Sequence, residues 1–234
     1  MSFKECIREK VGSDPELSRV RSLVLFGSYV RGDFVQGLSD LDILAIVEEE
    51  PPDLERLKEC ITACAQGIDY KLIDLPWERL ENLRDPVNMG YGFKFLTIYL
   101  RDFLANHEVI YGEEIAHLLP RYDMGELVRW RAERLSKSEA LIRDRPEMAP
   151  IVAGEVCRLL AVMNGAEDIS KGAIMESLRT VGDEGAIEIY ESYVKGVKPD
   201  KGQDYYEKFI ESRISGIESI LRQRKVMEEA RSTS

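Results

Sequence analysis

No apolar run in this chain approaches the roughly 20 residues that a membrane-crossing helix needs. The opening stretch MSFKECIREKVG mixes charged and apolar residues and lacks the continuous apolar core of an export signal. The expectation is a protein with no membrane span, working in the cytoplasm. Histidine is nearly missing. His107 and His117 are the only two among 234 residues, which excludes a metal centre built on imidazoles. Cysteine is scarce as well. Cys6, Cys60, Cys64 and Cys157 show no disulfide-framework spacing, as fits a reducing compartment. Cys60 and Cys64 lie one helical turn apart and could seat a metal, but free cysteine buries readily, so two small core residues on an amphipathic helix are expected. Positive charge is in the minority: 32 Lys and Arg stand against 43 Asp and Glu, a net charge of −11. An acidic surface repels phosphate backbones, which disfavours general nucleic-acid binding and favours a cationic ligand.

What is present can build a core. Hydrophobic residues make up 44% of the chain, and its length suits one large or two small domains. The first half alternates strand and helix patterns. Phe3 to Val11 reads as a helix, Ser22 to Phe26 as a buried strand ending at a Gly-Ser turn, and Asp40 to Val47 as a second strand. Pro51 and Pro52 break the chain, and Asp53 caps the helix DLERLKECITACA. IDYKLIDL reads as a third strand, Pro76 opens a helical stretch, Phe93 to Ala105 reads as a helix and HEVIYG as a last strand. From about Asp123 to Arg224 the pattern is helical, with apolar residues at three- and four-residue spacing, and predicts a bundle of about four or five helices. The predicted architecture is an α/β (α+β) domain with a mixed sheet over residues 1–119, followed by an all-α helical bundle domain over residues 120–234.

The chemistry concentrates between Leu25 and Val47. Asp40 and Asp42 stand two apart at the head of a strand, so their carboxylates project on one face. Paired like charges point to a hard divalent cation, and Mg2+ prefers few carboxylates, some water and substrate phosphates. Gly27-Ser28 follows an apolar strand; such a turn offers backbone N–H groups and a hydroxyl to phosphate oxygens. Arg31 could add positive charge there, and Ser39 could orient the neighbouring carboxylates. A third acid is needed to complete a two-metal site or to take the proton of an acceptor hydroxyl. Asp69 and Asp74 are both candidates, of opposite parity on the predicted third strand.

Gly27-Ser28, Arg31-Gly32 and Ser39-Asp40-Leu41-Asp42 together resemble the DNA polymerase β nucleotidyltransferase superfamily over about the first 75 residues. The resemblance implies Mg2+ at the aspartates and transfer of a nucleoside monophosphate from a nucleoside triphosphate such as ATP. The rest of the chain is similar to aminoglycoside adenylyltransferases of the streptomycin/spectinomycin type, through FLTIYLRDFLANHEVIYGEEIAHLLP and EVCRLLAVMNGAEDISKGAIMESL. That likeness implies a small-molecule acceptor lying between two domains. It puts Lys171 on the nucleotide phosphates, and its acidic third-strand residue falls on Asp69 as metal ligand or base, which makes Asp69 the expected third acid and Asp74 the fallback. Its antibiotic-contacting acids have no clear counterpart; Glu155 and Asp168 are candidates. Around Arg84 to Gly92 its substrate-facing residues find no match. The rival expectations are adenylylation of a partner protein, as in toxin–antitoxin pairs, and a nucleotide-binding protein without catalysis.

Three smaller features have plainer readings. Arg101 and His107 are similar to the Arg–His pair of HEPN nucleases, but His107 falls in a predicted strand or loop. Trp77, Tyr91 and Phe93 could wall an adenine or acceptor site, although aromatic residues more often pack cores. Tyr205 and Tyr206 are expected to pack the last helix.

Overall fold

The computed structural model describes residues 1–85, 97–197 and 201–232, and within these nothing is said of the side chains of residues 139 and 224–232. The chain divides into two compact units, one of Met1–Phe95 and Leu100–Arg121, the other of Leu96–Tyr99 and Tyr122–Ser234.

The first unit is built in the order α1 (Phe3–Ser13), β1 (Val20–Phe26), α2 (Ser28–Arg31), β2 (Leu41–Val47), α3 (Leu54–Cys64), β3 (Ile73–Asp74), β4 (Trp77–Arg79), α4 (Tyr99–Ala105) and β5 (His107–Gly112). Its mixed sheet runs β3-β2-β1-β5, with β1 antiparallel to β2 and β5, and with β3 and β4 both parallel to β2. In β1 and β2 every residue but Arg21 and Asp42 is buried, because both faces of the sheet are covered. That is why they read as continuous apolar runs. Leu23, Leu25, Ile43 and Ala45 pack with Ile7 and Val11 of α1 and Leu57 and Ile61 of α3 in one core. Asp42 belongs to the alternate positions, shared with Leu44 and Ile46, and so points to the other face.

Local signals set the helix ends. Ser2 and Glu5 form a reciprocal capping box on α1. Asp53 accepts the Arg56 N–H and caps α3, as its position before the apolar repeat predicts.

The third strand departs from expectation. IDYKLIDL is not one strand: only Ile73–Asp74 forms a ladder, and Trp77–Arg79, expected as helix, is a strand that continues along the same edge of β2. Pro76 is the reason. It has no N–H to give, yet its carbonyl still accepts the Ala45 N–H at 2.9 Å, so the edge is interrupted without being lost. Trp77 packs against the core of this unit. Tyr91, Phe93 and most of the stretch from Arg84 to Gly92 lie outside the described residues.

The cysteines also depart from expectation. Cys6 of α1 and Cys64 of α3 form a disulfide across 58 residues, with Cα atoms 5.5 Å apart. Cys60 and Cys157 are free. Packing of the two helices on one face of the sheet brings Cys6 and Cys64 together, which spacing alone does not reveal.

The second unit holds α5 (Met124–Ser136), α6 (Ser138–Asp144), α7 (Ala149–Met163), α8 (Lys171–Val181), α9 (Glu184–Lys195) and α10 (Gln203–Ser232), six helices against the expected four or five. The stretch ELVRWRAERLSKSEALI, which the sequence presents as one segment, breaks at Lys137 into α5 and α6. α7 packs against α5, α8, α9 and α10, and Val152, Ala153, Val156, Cys157 and Leu159 are buried in the core. Gly154 lets Tyr193 lie against α7; a Cβ there would meet the ring at 2.4 Å. Tyr206 is buried in this core and Tyr205 packs on it. No helix among the described residues is long and apolar enough to cross a membrane.

Candidate active site

The first unit gathers its acids where β1 ends and β2 begins. Phe26, the last residue of β1, pairs with Asp42. The chain then turns through Gly27, at φ +75°, into the single turn of α2. Glycine is required there twice over. The dihedral belongs to the region other residues avoid, and a Cβ would come within 2.2 Å of Asp42 Oδ2. The Asp42 carboxylate therefore rests directly on the Gly27 Cα. Gly27→Ala is expected to displace Asp42 and to lower kcat by roughly a hundredfold, as for other small misplacements of reacting groups. Steady-state rates beside a melting curve separate that effect from unfolding.

Asp40 lies just before β2, half-buried like Asp42. On the far side of β2, Asp42 stands in register with Asp74 of β3, and parallel pairing puts both side chains on one face. Asp69 is placed differently. It is exposed and precedes β3. Its carbonyl accepts the Gly37 N–H at 2.7 Å, and its carboxylate lies beside Gly37. The ladder thus brings Asp74 next to Asp42 and leaves Asp69 on the neighbouring loop.

Ser39 and Arg31 are committed to holding that loop. Ser39 is buried, and its hydroxyl accepts the Val35 N–H at 2.9 Å. The Arg31 guanidinium, 9% exposed, is 3.0 Å from Asp33 and 2.5 Å from Asp102 of α4. Asn106 also donates to Asp102. Burial raises the Asp102 pKa, and Arg31 opposes that rise. Arg31 thus ties α2 to α4 within the unit, a role its position next to the Gly-Ser turn does not announce. Its partner Asp102 is 71 residues away.

The residues present suit Mg2+ by donor type. Among the described residues no three of His, Cys, Asp and Glu converge closely enough to hold a metal ion by themselves. Mg2+ takes one or two protein carboxylates and completes its shell with water and phosphate oxygens. Asp40 and Asp42, with Asp74 in register beside Asp42, are carboxylates of that donor type.

In the second unit, Lys171 opens α8 behind Ser170, whose hydroxyl accepts the Ala173 N–H. Asp168 is exposed and accepts the Ser170 N–H at 2.7 Å. Glu155 is enclosed. Its carboxylate receives Arg158 at 2.7 Å, Tyr193 at 3.1 Å, and the Tyr99 hydroxyl and Arg131. Burial would raise its pKa, but Arg158 and Arg131, helped by the two phenols, hold it at about 2. That carboxylate closes a charge cluster of its own helices. The Arg–His resemblance also resolves locally: His107 sits in β5, bonded to the Phe103 carbonyl and to Glu114, while Arg101 is exposed on α4.

Residues 1–88 match the family described as a nucleotidyltransferase domain. Among solved structures, the spectinomycin adenyltransferase AAD(9) from Enterococcus faecialis, with ATP and spectinomycin, is similar over 93% of this chain and 100% of that one, at 18% identity and a TM-score of 0.65. A toxin–antitoxin structure with AMP-PNP aligns over 60% of this chain and 96% of that one, at 17% identity and a TM-score of 0.31, too low to bear on fold or function. No match to a curated protein was found. Residues 1–88 therefore match a nucleotidyltransferase domain, and the fold of the chain, with a helical C-terminal region, is similar to that of a spectinomycin adenyltransferase.

Proposed function

We propose that this protein moves a nucleoside monophosphate, AMP from ATP, to a hydroxyl of a small and cationic acceptor, releasing pyrophosphate. The observation that carries this reading is the Asp42 carboxylate resting on Gly27, with Asp40 two residues before it and Asp74 in register beside it. The family match over residues 1–88 supports the reaction class. ATP and spectinomycin in the similar structure support the choice of nucleotide and of an aminoglycoside-like acceptor class. The net charge of −11 suits a cationic acceptor.

In this reading Asp40 and Asp42 would hold Mg2+ together with water and phosphate oxygens, and Asp74 stands in register beside Asp42. When bound, the metal offsets the charge that builds on the phosphates. The N–H groups of the Gly27-Ser28 turn bind phosphate oxygens. Asp74, or Asp69 in the alternative, takes the proton from the acceptor hydroxyl as that oxygen attacks the α-phosphorus. Arg31 keeps the Gly-Ser turn in place from its ion pairs. Lys171, to which the family resemblance gives the triphosphate, is expected to change KM for ATP more than kcat when replaced by alanine.

The test is pyrophosphate release with ATP, Mg2+ and a panel of aminoglycosides, run beside Asp40→Asn. The expected result is release with at least one acceptor, lowered about a thousandfold in the variant. Equal release from both proteins would sink the catalytic assignment. No release with any antibiotic, together with Mg2+-dependent ATP binding by calorimetry, would remove the aminoglycoside reading and leave a partner protein as acceptor or a binding role.

A further inference from the structure

The Cys6–Cys64 disulfide joins α1 to the final residue of α3. The earlier turns of α3 do not depend on it. Leu57 and Ile61 are fully buried against the sheet, and Arg56 is paired with Asp14. The disulfide therefore secures only the last turn of the helix and the chain that leaves it. That chain has a particular course. From Ala65 it turns through Gly67, at φ +91°, and runs beside the loop that leads into β2. Three backbone hydrogen bonds hold it there: Gly37 N–H to Asp69 O at 2.7 Å, Lys71 N–H to Ser39 O at 3.0 Å, and Leu41 N–H to Leu72 O at 2.9 Å. It then enters β3, where Asp74 meets Asp42. These bonds are single and staggered, and β3 itself is only two residues long. Downstream, the Pro76 carbonyl and β4 fix the chain on β2, and upstream its covalent anchor is Cys64; a short edge segment between two such anchors sits at the low-stability end of a fold.

We propose that Cys6 and Cys64 are positioning residues: their disulfide holds the segment 65–74, and through it the third carboxylate, against the paired aspartates, so that the nucleotidyl site answers to redox state. The inference rests on the transferase reading for its consequence but not for its structural content. Reduction by a dithiol breaks the S–S bond. Each sulfur gains an electron and a proton to become a thiol, and the dithiol is oxidised to its own disulfide. Cys6 and Cys64 are 7% and 9% exposed, so the bond lies at the margin of the core, within reach of a small reductant after slight opening of the last turn. The redox-sensitive element is thus covalently continuous with the strand that presents Asp74, ten residues further on.

The experiment compares the full chain oxidised and after treatment with dithiothreitol, by amide hydrogen exchange and by turnover. On reduction, the amides of Gly37, Leu41 and Lys71 are expected to exchange about tenfold faster or more, while those of Leu23 to Leu25 in β1 hold their rates. Turnover is expected to fall about fivefold in kcat, with KM for ATP changed less than about twofold and the Mg2+ needed for half-maximal rate increased. Reoxidation with glutathione disulfide should restore all three readings. Cys6→Ser/Cys64→Ser should resemble the reduced protein and ignore dithiothreitol, while Cys60→Ser should respond as the parent does. Unchanged exchange at Gly37, Leu41 and Lys71, or uniform acceleration across β1 as well, overturns the proposal. A change in exchange without activity in either state upholds the tether and removes the transferase reading instead.

Discussion

Asp74→Asn is expected to lower kcat by roughly a hundredfold or more, and Asp69→Asn by less than about tenfold, under saturating ATP and Mg2+. Register separates the two acids. The Asp42 carboxylate rests against Gly27, and Asp42 is paired with Phe26 on β1. Any third acid that shares a metal or a proton with it must project from the same face of the sheet at the same level. Asp74 does so as the residue paired with Asp42. Asp69 sits in the stretch before β3, exposed, with its carboxylate beside Gly37. Removal of a group that touches the reacting atoms typically costs two to four orders of magnitude, whereas removal of a loop carboxylate costs far less. Initial rates of pyrophosphate release for both variants, with Asp42→Asn as the reference for full loss, provide the comparison. If Asp69→Asn proves the more damaging, the loop must close over the aspartates during turnover, and Asp74 becomes a strand residue with no part in the chemistry. Mg2+ dependence adds a second reading: a lost ligand raises the concentration needed for half-maximal rate, whereas a lost base leaves it unchanged.

The features legible in the sequence are those that depend on near neighbours. Asp40 and Asp42 declare themselves by spacing, Gly27 by the turn after an apolar run, Asp53 by its place before an amphipathic repeat. The mixed sheet followed by helices is likewise legible in short apolar runs and helical periodicities. The partners of Arg31 are illegible for the opposite reason. Beside a Gly-Ser turn it reads as a phosphate ligand; its ion pairs with Asp33 and with Asp102 of α4 come to light only in the folded unit, which brings α4 to it. Ser39 reads as an orienting hydroxyl, and that it accepts the Val35 N–H is not legible in the sequence. The disulfide escaped notice because its cysteines are 58 residues apart on two helices that share a sheet face. IDYKLIDL reads as one strand because it carries eight residues of good β pattern, yet Asp69, Lys71 and Leu72 bond singly to the stretch from Gly37 to Leu41 and only Ile73–Asp74 joins the ladder. Pro76, without an N–H, then separates β3 from β4. Glu155 could be named from the sequence as an acid of the helical region. That two arginines and two tyrosines close around it could not, since Tyr99 lies 56 residues away.

Glu155 is where the largest change in stability is expected. Its side chain is 12% exposed and those of Arg131 and Arg158 are 15% and 13% exposed, so the cluster holds two guanidiniums and one carboxylate out of water. Glu155→Leu would leave both cations without their counter-charge, and Tyr99 and Tyr193 without their acceptor. Breaking a buried ion pair from one side costs about 3–5 kcal/mol, which corresponds to a fall in Tm of roughly 10 °C or more for a chain of this size. Thermal melts followed by circular dichroism at pH 7 measure it. Glu155→Leu/Arg131→Met is expected to lose less than the sum of the single changes, since it removes one stranded charge together with its partner. The pH dependence carries an independent signature. The folded pKa of Glu155 is held at about 2, below its ordinary value of 4.5. A depressed acid adds stability that is fully present above the unfolded value and lost as pH falls through the folded one. Across that window the contribution is about 3 kcal/mol, so Tm should drop steeply between about pH 4.5 and pH 2. Glu155→Gln keeps the shape and two hydrogen-bonding atoms but cannot titrate. Its melting curve should start lower at pH 7 and flatten toward acid, and parallel pH profiles for parent and variant would rule the cluster out as a source of acid lability.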